Sequence, residues 1–99
     1  ATFIGQASGP SMQDIGIFDG DLLIVDRSLT AKNGDIIVAN FNGCFVCKII
    51  DTDNALLLSA SDEHKPIKIT ESDDFQIEGV VNVSFRLHKK LPVLLSCLG

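Results

Sequence analysis

The stretch DIIVANFNGCFVCKII, residues 35–50, decides the fold. Two runs rich in Ile, Val and Phe flank Asn42-Gly43, and Asn-Gly favours a tight hairpin turn because both residues tolerate positive φ. A second turn dipeptide, Asn33-Gly34, precedes the first run. The sequence therefore predicts a β-hairpin with strands over Asp35–Phe41 and Cys44–Ile50.

The rest of the chain continues this pattern of short β segments. Further strands are predicted over Thr2–Ala7, Leu22–Val25, Ala55–Ser59, Ile67–Ile69 and Phe75–Phe85. Met12–Ile17 is predicted to form a single helical turn that ends near Gly16. Leu22–Val25 is apolar on both sides, which indicates a strand buried on both faces. The predicted fold class is mostly β with little or no helix: a compact, Greek-key-like or partly open barrel of short strands.

Size and charge limit the classes of function. The chain has 99 residues, 45% of them apolar, which suits one domain with a modest core. The net charge is −5, whereas a large nucleic-acid footprint needs clustered Lys and Arg. The one basic cluster, Arg86, His88, Lys89 and Lys90, is best explained as a solvated strand end. We therefore expect no sequence-specific DNA binding by this chain.

The cysteines indicate a reducing compartment. Three are present, Cys44, Cys47 and Cys97, and an odd number without a secretory signal suits the cytoplasm. No apolar run approaches the ~18 residues of a membrane helix. Cys44 and Cys47 have Cys-x-x-Cys spacing, but positions i and i+3 of a strand point to opposite faces, which disfavours a shared metal or disulfide. We expect no metal and no cofactor.

Ser11 is a candidate nucleophile. It follows Ser8-Gly9-Pro10, and a sharp turn at that place can project the hydroxyl and present the backbone N–H beside it. An ordinary turn serine would have the same local sequence. A Ser-His-Asp triad with His64 or His88 is a further possibility without a supporting motif.

Lys48 is a candidate base. It lies within the second strand of the hairpin and shares a face with Cys44, Val46 and Ile50. Desolvation on an apolar face lowers a lysine pKa, so that a neutral amine can accept a proton from a serine hydroxyl. A lysine at a sheet edge with its ammonium in water fits the same sequence.

These segments together resemble the LexA/UmuD family of self-cleaving serine–lysine peptidases. The resemblance covers residues 2–85 and has three ordered features: a serine followed by methionine, a Gly-Asp strand start, and a lysine in the second strand of a hairpin. The serine lies in Ser8–Met12, the Gly-Asp strand start in Gly20–Asp26, and the hairpin with its lysine in Asn33–Ala39 and Phe45–Lys48. In addition, Phe75–Val81 is similar to the family's closing strand.

The resemblance implies roles for individual residues. Ser11 and Lys48 would be the catalytic dyad, backbone N–H groups at Ser11 and its neighbours would hold the oxyanion, and Met12 would line the cleft or belong to the core. It also implies a peptidase domain over residues 1–88 and a C-terminal tail over residues 89–99. The apolar tail would either pack on a dimer or remain loose.

Within the family, the wording of Asp19–Asp26 is closest to UmuD. That similarity implies a cytoplasmic bacterial protein of SOS mutagenesis, which cleaves its own N-terminal arm when the RecA–single-stranded DNA filament stimulates it. The homodimeric product would serve a UmuC-type polymerase in translesion DNA synthesis. The alternative is the C-terminal self-cleavage and dimerisation domain of a LexA-like repressor.

Other interpretations follow from the short segment before Ser11. We expect that this chain lacks its own cleavage site, and that it has no space for an N-terminal DNA-binding domain. A binding module with a relic dyad therefore stays open. Signal peptidase also has a Ser-Met and a lysine, but it needs a membrane anchor and usually a proline soon after the methionine, where this chain has Gln13-Asp14.

Overall fold

The computed structural model describes residues 1–89, which form one antiparallel sheet of seven strands. A 3-10 turn at Gln13–Ile15 is the one helical element of this part of the chain. The strands are β1 Thr2–Gln6, β2 Leu22–Asp26, β3 Ile36–Phe41, β4 Cys44–Asp51, β5 Leu56–Leu58, β6 Ile67–Lys68 and β7 Phe75–Phe85. Their spatial order is β1-β2-β7-β3-β4-β5-β6, so the prediction of a mostly β fold is confirmed.

The central hairpin forms as its turn chemistry predicts. Phe41 pairs with Cys44 across the turn, where Asn42 and Gly43 have φ values of 51° and 87°. Positive φ at both central positions gives the turn the twist that antiparallel strands need. The Gly43 N–H also donates to the Asn40 side-chain oxygen at 3.0 Å.

Strand β7 lies in the middle of the sheet, between β2 and β3. Its pairing shifts register once against each neighbour, between Ile24 and Val25 of β2 and between Val38 and Ala39 of β3. At Gly79 the backbones approach so closely that a Cβ would stand 2.6 Å from Val25 Cγ1. Glycine is therefore required at this position for steric reasons, although nothing in the local pattern of β7 indicates it.

The sheet is open. In the described part of the chain, β1 and β6 are the two edges and do not pair with each other. Strand β5 is shorter than the predicted Ala55–Ser59, because Ala55 has a positive φ of 53° and the chain turns away after Leu58. The Ala60 N–H then donates to the Ser11 carbonyl oxygen at 2.7 Å, which carries this segment to the Ser11 turn.

Two apolar clusters form the core. Leu22 and Leu23 are 1% and 2% exposed although adjacent strand residues point to opposite faces, which confirms the expected two-sided burial of β2. One cluster lies beneath the Ser11 turn and contains Ala7, Met12, Ile17, Leu23 and Val25. The other consists of Ile37, Ala39, Ile50, Leu57 and Val80.

Two predictions concern regions beyond the sheet. The predicted tail falls almost entirely outside the described residues, so the boundary between residues 88 and 89 stays a prediction. Within residues 1–89, no helix has the length and apolar character to cross a membrane.

Candidate active site

A cleft of about 400 Å³ brings the predicted dyad residues to one place. Ser11, Met12 and Lys48 all contribute to its walls, and most of the remaining lining is apolar. The apolar lining lies on or next to β1, β2, β3, β4 and the 3-10 helix. It includes Phe3, Ala7, Ile17, Leu23, Val38, Phe45 and Val46. The cleft therefore combines a hydroxyl and an amine in an apolar environment.

The Ser11 turn is held by backbone geometry and by the core. Gly9 adopts a φ of +84°, and its N–H donates to Asp19 Oδ1 at 2.8 Å. Met12 is 3% exposed and packs in the core cluster beneath the turn. On the far side, the Ala60 carbonyl accepts from the Asp14 N–H at 2.8 Å. The Ser11 turn is thus attached to three separate parts of the molecule.

Two backbone N–H groups of this turn have no backbone acceptor within residues 1–89. Among residues 1–89, neither the Ser11 N–H nor the Met12 N–H donates to a backbone carbonyl, while the N–H groups that follow them do. Two adjacent N–H groups without internal acceptors can stabilise a developing oxyanion. The arrangement suits acyl transfer to the half-buried Ser11 hydroxyl.

Lys48 is buried, and no counter-ion contacts it within residues 1–89. It is 9% exposed, and none of the salt bridges formed within residues 1–89 involves it. Its Nζ donates to Ser59 Oγ at 2.8 Å. Desolvation lowers the pKa of the Lys48 amine from its ordinary value of 10.5, which favours the neutral form that can accept a proton.

The structure adds one residue that sequence reasoning missed. Ser11 and Lys48 line the same cleft but are not hydrogen-bonded to each other in the described part of the chain; the amine contacts Ser59 instead. The sequence predicts Ser59 only as the end of a strand. Its signal is the register of β4 against β5, whose last pair is Ile49 with Leu58, so that Ser59 lies one residue beyond the end of β5, near Lys48.

The alternative chemistries are not assembled in this cleft. Neither His64 nor His88 lines it. Cys47 lines the cleft and packs on the core, whereas Cys44 is exposed and absent from the lining, so the two thiols are separated as strand geometry predicts. Burial raises the pKa of the Cys47 thiol to about 11. Cys47 is therefore a protonated wall residue at neutral pH.

An ion pair between the buried Asp21 and the half-exposed Arg86 fixes the segment next to the site. Asp21, at the start of β2, is 2% exposed and accepts two hydrogen bonds from Arg86, Nε to Oδ1 at 2.6 Å and Nη2 to Oδ2 at 2.9 Å. The Ala7 N–H donates to the Asp21 carbonyl at 2.8 Å. The pair therefore ties the end of β7 to the loop that leads into the Ser11 turn.

Comparison with known proteins defines the class. Residues 1–82 match the Peptidase S24-like family, and the chain belongs to that family. The family is one of self-cleaving serine-peptidase-type domains, as the LexA/UmuD resemblance implied.

Named relatives indicate which members of the family this chain resembles. LexA repressor 1 of Xanthomonas campestris pv. campestris is 41% identical over 80 residues, which cover 79% of this chain and 40% of that protein. LexA repressors of Alcanivorax borkumensis and Stenotrophomonas maltophilia are 38% identical over 81 residues and 39% identical over 80, covering 80% and 79% of this chain and 39% and 38% of those proteins. The chain thus spans 38–40% of the length of these relatives. Their names favour the repressor alternative over the UmuD-like interpretation.

Proposed function

We propose that this chain is the self-cleavage and dimerisation domain of a LexA-like repressor, with Ser11 as nucleophile and Lys48 as general base. The supporting observation is a buried amine in the same cleft as Ser11, with no counter-ion among the residues that the structure describes. Family membership and the named relatives support the same proposal. The peptidase domain comprises residues 1–88 and acts in the bacterial cytoplasm as a homodimer.

The reaction begins with neutral Lys48 taking the proton of the Ser11 hydroxyl. Ser11 Oγ then attacks the carbonyl carbon of a peptide bond between small residues in an N-terminal arm, and the Ser11 and Met12 N–H groups stabilise the oxyanion. The Lys48 ammonium protonates the leaving amine as the peptide C–N bond breaks. Water, deprotonated by Lys48, finally attacks the ester carbonyl and releases Ser11.

The proposal is tested by removing the nucleophile in the full gene product. Self-cleavage is followed by gel electrophoresis in the presence of the RecA–single-stranded DNA filament. Ser11→Ala is expected to abolish cleavage without a change in thermal unfolding, whereas the control Ser84→Ala removes an exposed β7 hydroxyl and leaves the rate unchanged. A Ser11→Ala protein that cleaves at the original rate would overturn the proposal.

A UmuD-like accessory subunit is the second candidate, favoured by the similarity of Asp19–Asp26 to UmuD. In that function the cleaved dimer binds a UmuC-type translesion polymerase. The encoded sequence upstream of residue 1 distinguishes the two: a helix-turn-helix domain supports the repressor, and a short arm supports the accessory subunit. Co-purification with a UmuC-type polymerase is expected for the accessory subunit alone.

A relic dyad in either protein is distinguished by activity in trans. The chain is incubated with a synthetic peptide that copies the arm of the full gene product. Cleavage that disappears in Ser11→Ala supports an active dyad. Lack of cleavage both in trans and in the full gene product would leave a binding module.

A further inference from the structure

We infer that Ser59 is a positioning residue for the Lys48 amine, an inference that rests on the proposed function. The Lys48 Nζ donates to Ser59 Oγ at 2.8 Å, and both side chains are at least partly buried. No other side-chain hydrogen bond of Lys48 occurs within residues 1–89. Ser59 is therefore the group that fixes where the base stands.

Strand register places the two side chains together. β4 and β5 pair Asp51 with Leu56, Ile50 with Leu57 and Ile49 with Leu58. Ser59 follows the last paired residue of β5 and lies close enough to Lys48 for their side chains to form a hydrogen bond. The lysine side chain has many rotamers, so a fixed acceptor at its tip selects one of many positions for the amine.

The neighbouring residue holds the nucleophile. The Ala60 N–H donates to the Ser11 carbonyl at 2.7 Å, and the Ala60 carbonyl accepts from the Asp14 N–H at 2.8 Å. The dipeptide Ser59-Ala60 thus contacts the base through a side chain and the nucleophile turn through the backbone. One peptide unit links the two members of the dyad, so it sets their separation.

The hydrogen bond also fits the proton transfer. A neutral amine has two N–H groups and one lone pair; if one N–H is directed at Ser59, the lone pair is restricted to fewer directions, and Ser11 lines the same cleft. After the transfer, the ammonium retains its bond to Ser59 and has another N–H for the leaving amine. Because Ser59 accepts a hydrogen bond from the charged form, its removal should lower the pKa of Lys48 further.

The other ionisable groups near Lys48 are few. Cys47 and Arg27 line the same cleft, and the Cys47 thiol stays protonated at neutral pH because of its raised pKa. The paired strands β3 and β5 and the turn over residues 8–12 contribute no ionisable side chain. At alkaline pH the Cys47 thiolate raises the pKa of Lys48, but Cys47 and Arg27 are unchanged in every variant. A shift in the titration of Lys48 that Ser59→Ala shows and Ser59→Thr does not is therefore assigned to the lost hydrogen bond.

The test compares Ser59→Ala and Ser59→Thr with the control Ser61→Ala. The control removes a hydroxyl two residues away, which within residues 1–89 accepts a hydrogen bond only from the Glu63 N–H. Self-cleavage of the full gene product is measured from neutral to alkaline pH. In parallel, acetic anhydride labels the lysines in competition, and mass spectrometry compares Lys48 with the exposed Lys68. Lys48 and Lys68 are thereby compared within each sample.

Ser59→Ala is expected to lower the plateau rate about ten- to a hundredfold, because the base is misplaced. The midpoints of both the rate and the labelling profile should move to lower pH. Ser59→Thr should restore rate and midpoint, because it keeps a hydroxyl at the same Cβ. Ser61→Ala should match the original protein in both profiles.

Two results separate failure of this inference from failure of the proposed function. If Lys48→Ala abolishes cleavage while Ser59→Ala changes neither the plateau rate nor the titration of Lys48, Ser59 has no positioning role and the dyad stands. If Ser59→Ala shifts the titration but Lys48→Ala cleaves normally, Ser59 positions the amine and the dyad is wrong. A rate loss in Ser59→Ala without a midpoint shift and without rescue by threonine indicates a structural role alone and overturns the inference.

Discussion

Asp21 and Lys48 are the two buried charged residues within residues 1–89, and they differ in the partners that their side chains contact. Asp21 accepts a two-point contact from Arg86 and a hydrogen bond from the Phe18 N–H at 2.8 Å. Lys48 contacts a neutral hydroxyl. The pKa of each is lowered, of Asp21 chiefly by its hydrogen bond with Arg86 and of Lys48 chiefly by desolvation.

The same direction of shift has opposite consequences for charge. A lower pKa keeps a carboxyl ionised, so Asp21 is a stable structural anion. For an amine, a lower pKa favours the neutral form, which is the form that the proposed role of Lys48 as a base requires. Burial alone therefore does not distinguish a structural charged residue from a candidate reactive one, whereas the partners of the buried group do.

The largest expected effect is on cleavage when Lys48, whose partner is a neutral hydroxyl, is lost. Lys48→Met keeps the length and apolar stem of the side chain but cannot accept a proton, so self-cleavage should fall about 10²- to 10⁴-fold. Cleavage of the full gene product is compared with Lys68→Met, whose lysine donates to the Asn54 carbonyl on the surface. Equal rates in the original protein and Lys48→Met would place the base elsewhere.

The next effect is on stability when the partnered group loses its partner. Arg86→Met leaves the Asp21 carboxylate buried without its cation, so the protein should unfold at a lower urea concentration at neutral pH. The lowered pKa of Asp21 gives stability that is present above 3.8, the ordinary value, and is lost as the pH falls through the folded value. The difference between the two proteins in urea titrations should therefore shrink below pH 3.8.

A smaller effect concerns the pH dependence of cleavage. Below the folded pKa of Lys48, the neutral fraction rises about tenfold for each pH unit, so the rate should rise with it and level off above that pKa. Initial rates of self-cleavage from neutral to alkaline pH measure this slope. A flat profile over that range would contradict a base role for Lys48.

The smallest expected effect is a gain in stability from the same Lys48→Met change. Replacing a desolvated amine by an apolar side chain should raise the free energy of unfolding at neutral pH by about 1 kcal/mol. The pKa of Lys48 is lowered in the folded state, so its charged form makes an unfavourable contribution to the free energy of unfolding. That contribution is relieved as the pH rises through the folded-state pKa towards 10.5. The gain in urea titrations should narrow over that interval, and a gain that is constant with pH would argue against desolvation as its cause.

The sequence predicted most of the sheet because its signals are local. Asn42-Gly43 specified a turn that needs positive φ, and the β-rich runs beside it specified the strands. The predicted helical turn before Gly16 also formed, with Gly16 at a φ of 87°. The requirement for glycine at position 79 could not be predicted, because it arises from contact with Val25 of a distant strand.

In the candidate site, too, some features could be predicted from the sequence and others could not. The sequence by itself determined the fold class, the hairpin and the identities of Ser11 and Lys48 as candidates, since turn chemistry, strand alternation and an ordered resemblance depend on residues near one another in the chain. Only the tertiary structure decided that Arg86 neutralises Asp21 while Lys48 meets Ser59. Those partners lie 65 and 11 positions apart, and desolvation and hydrogen bonding depend on what the folded sheet brings into contact.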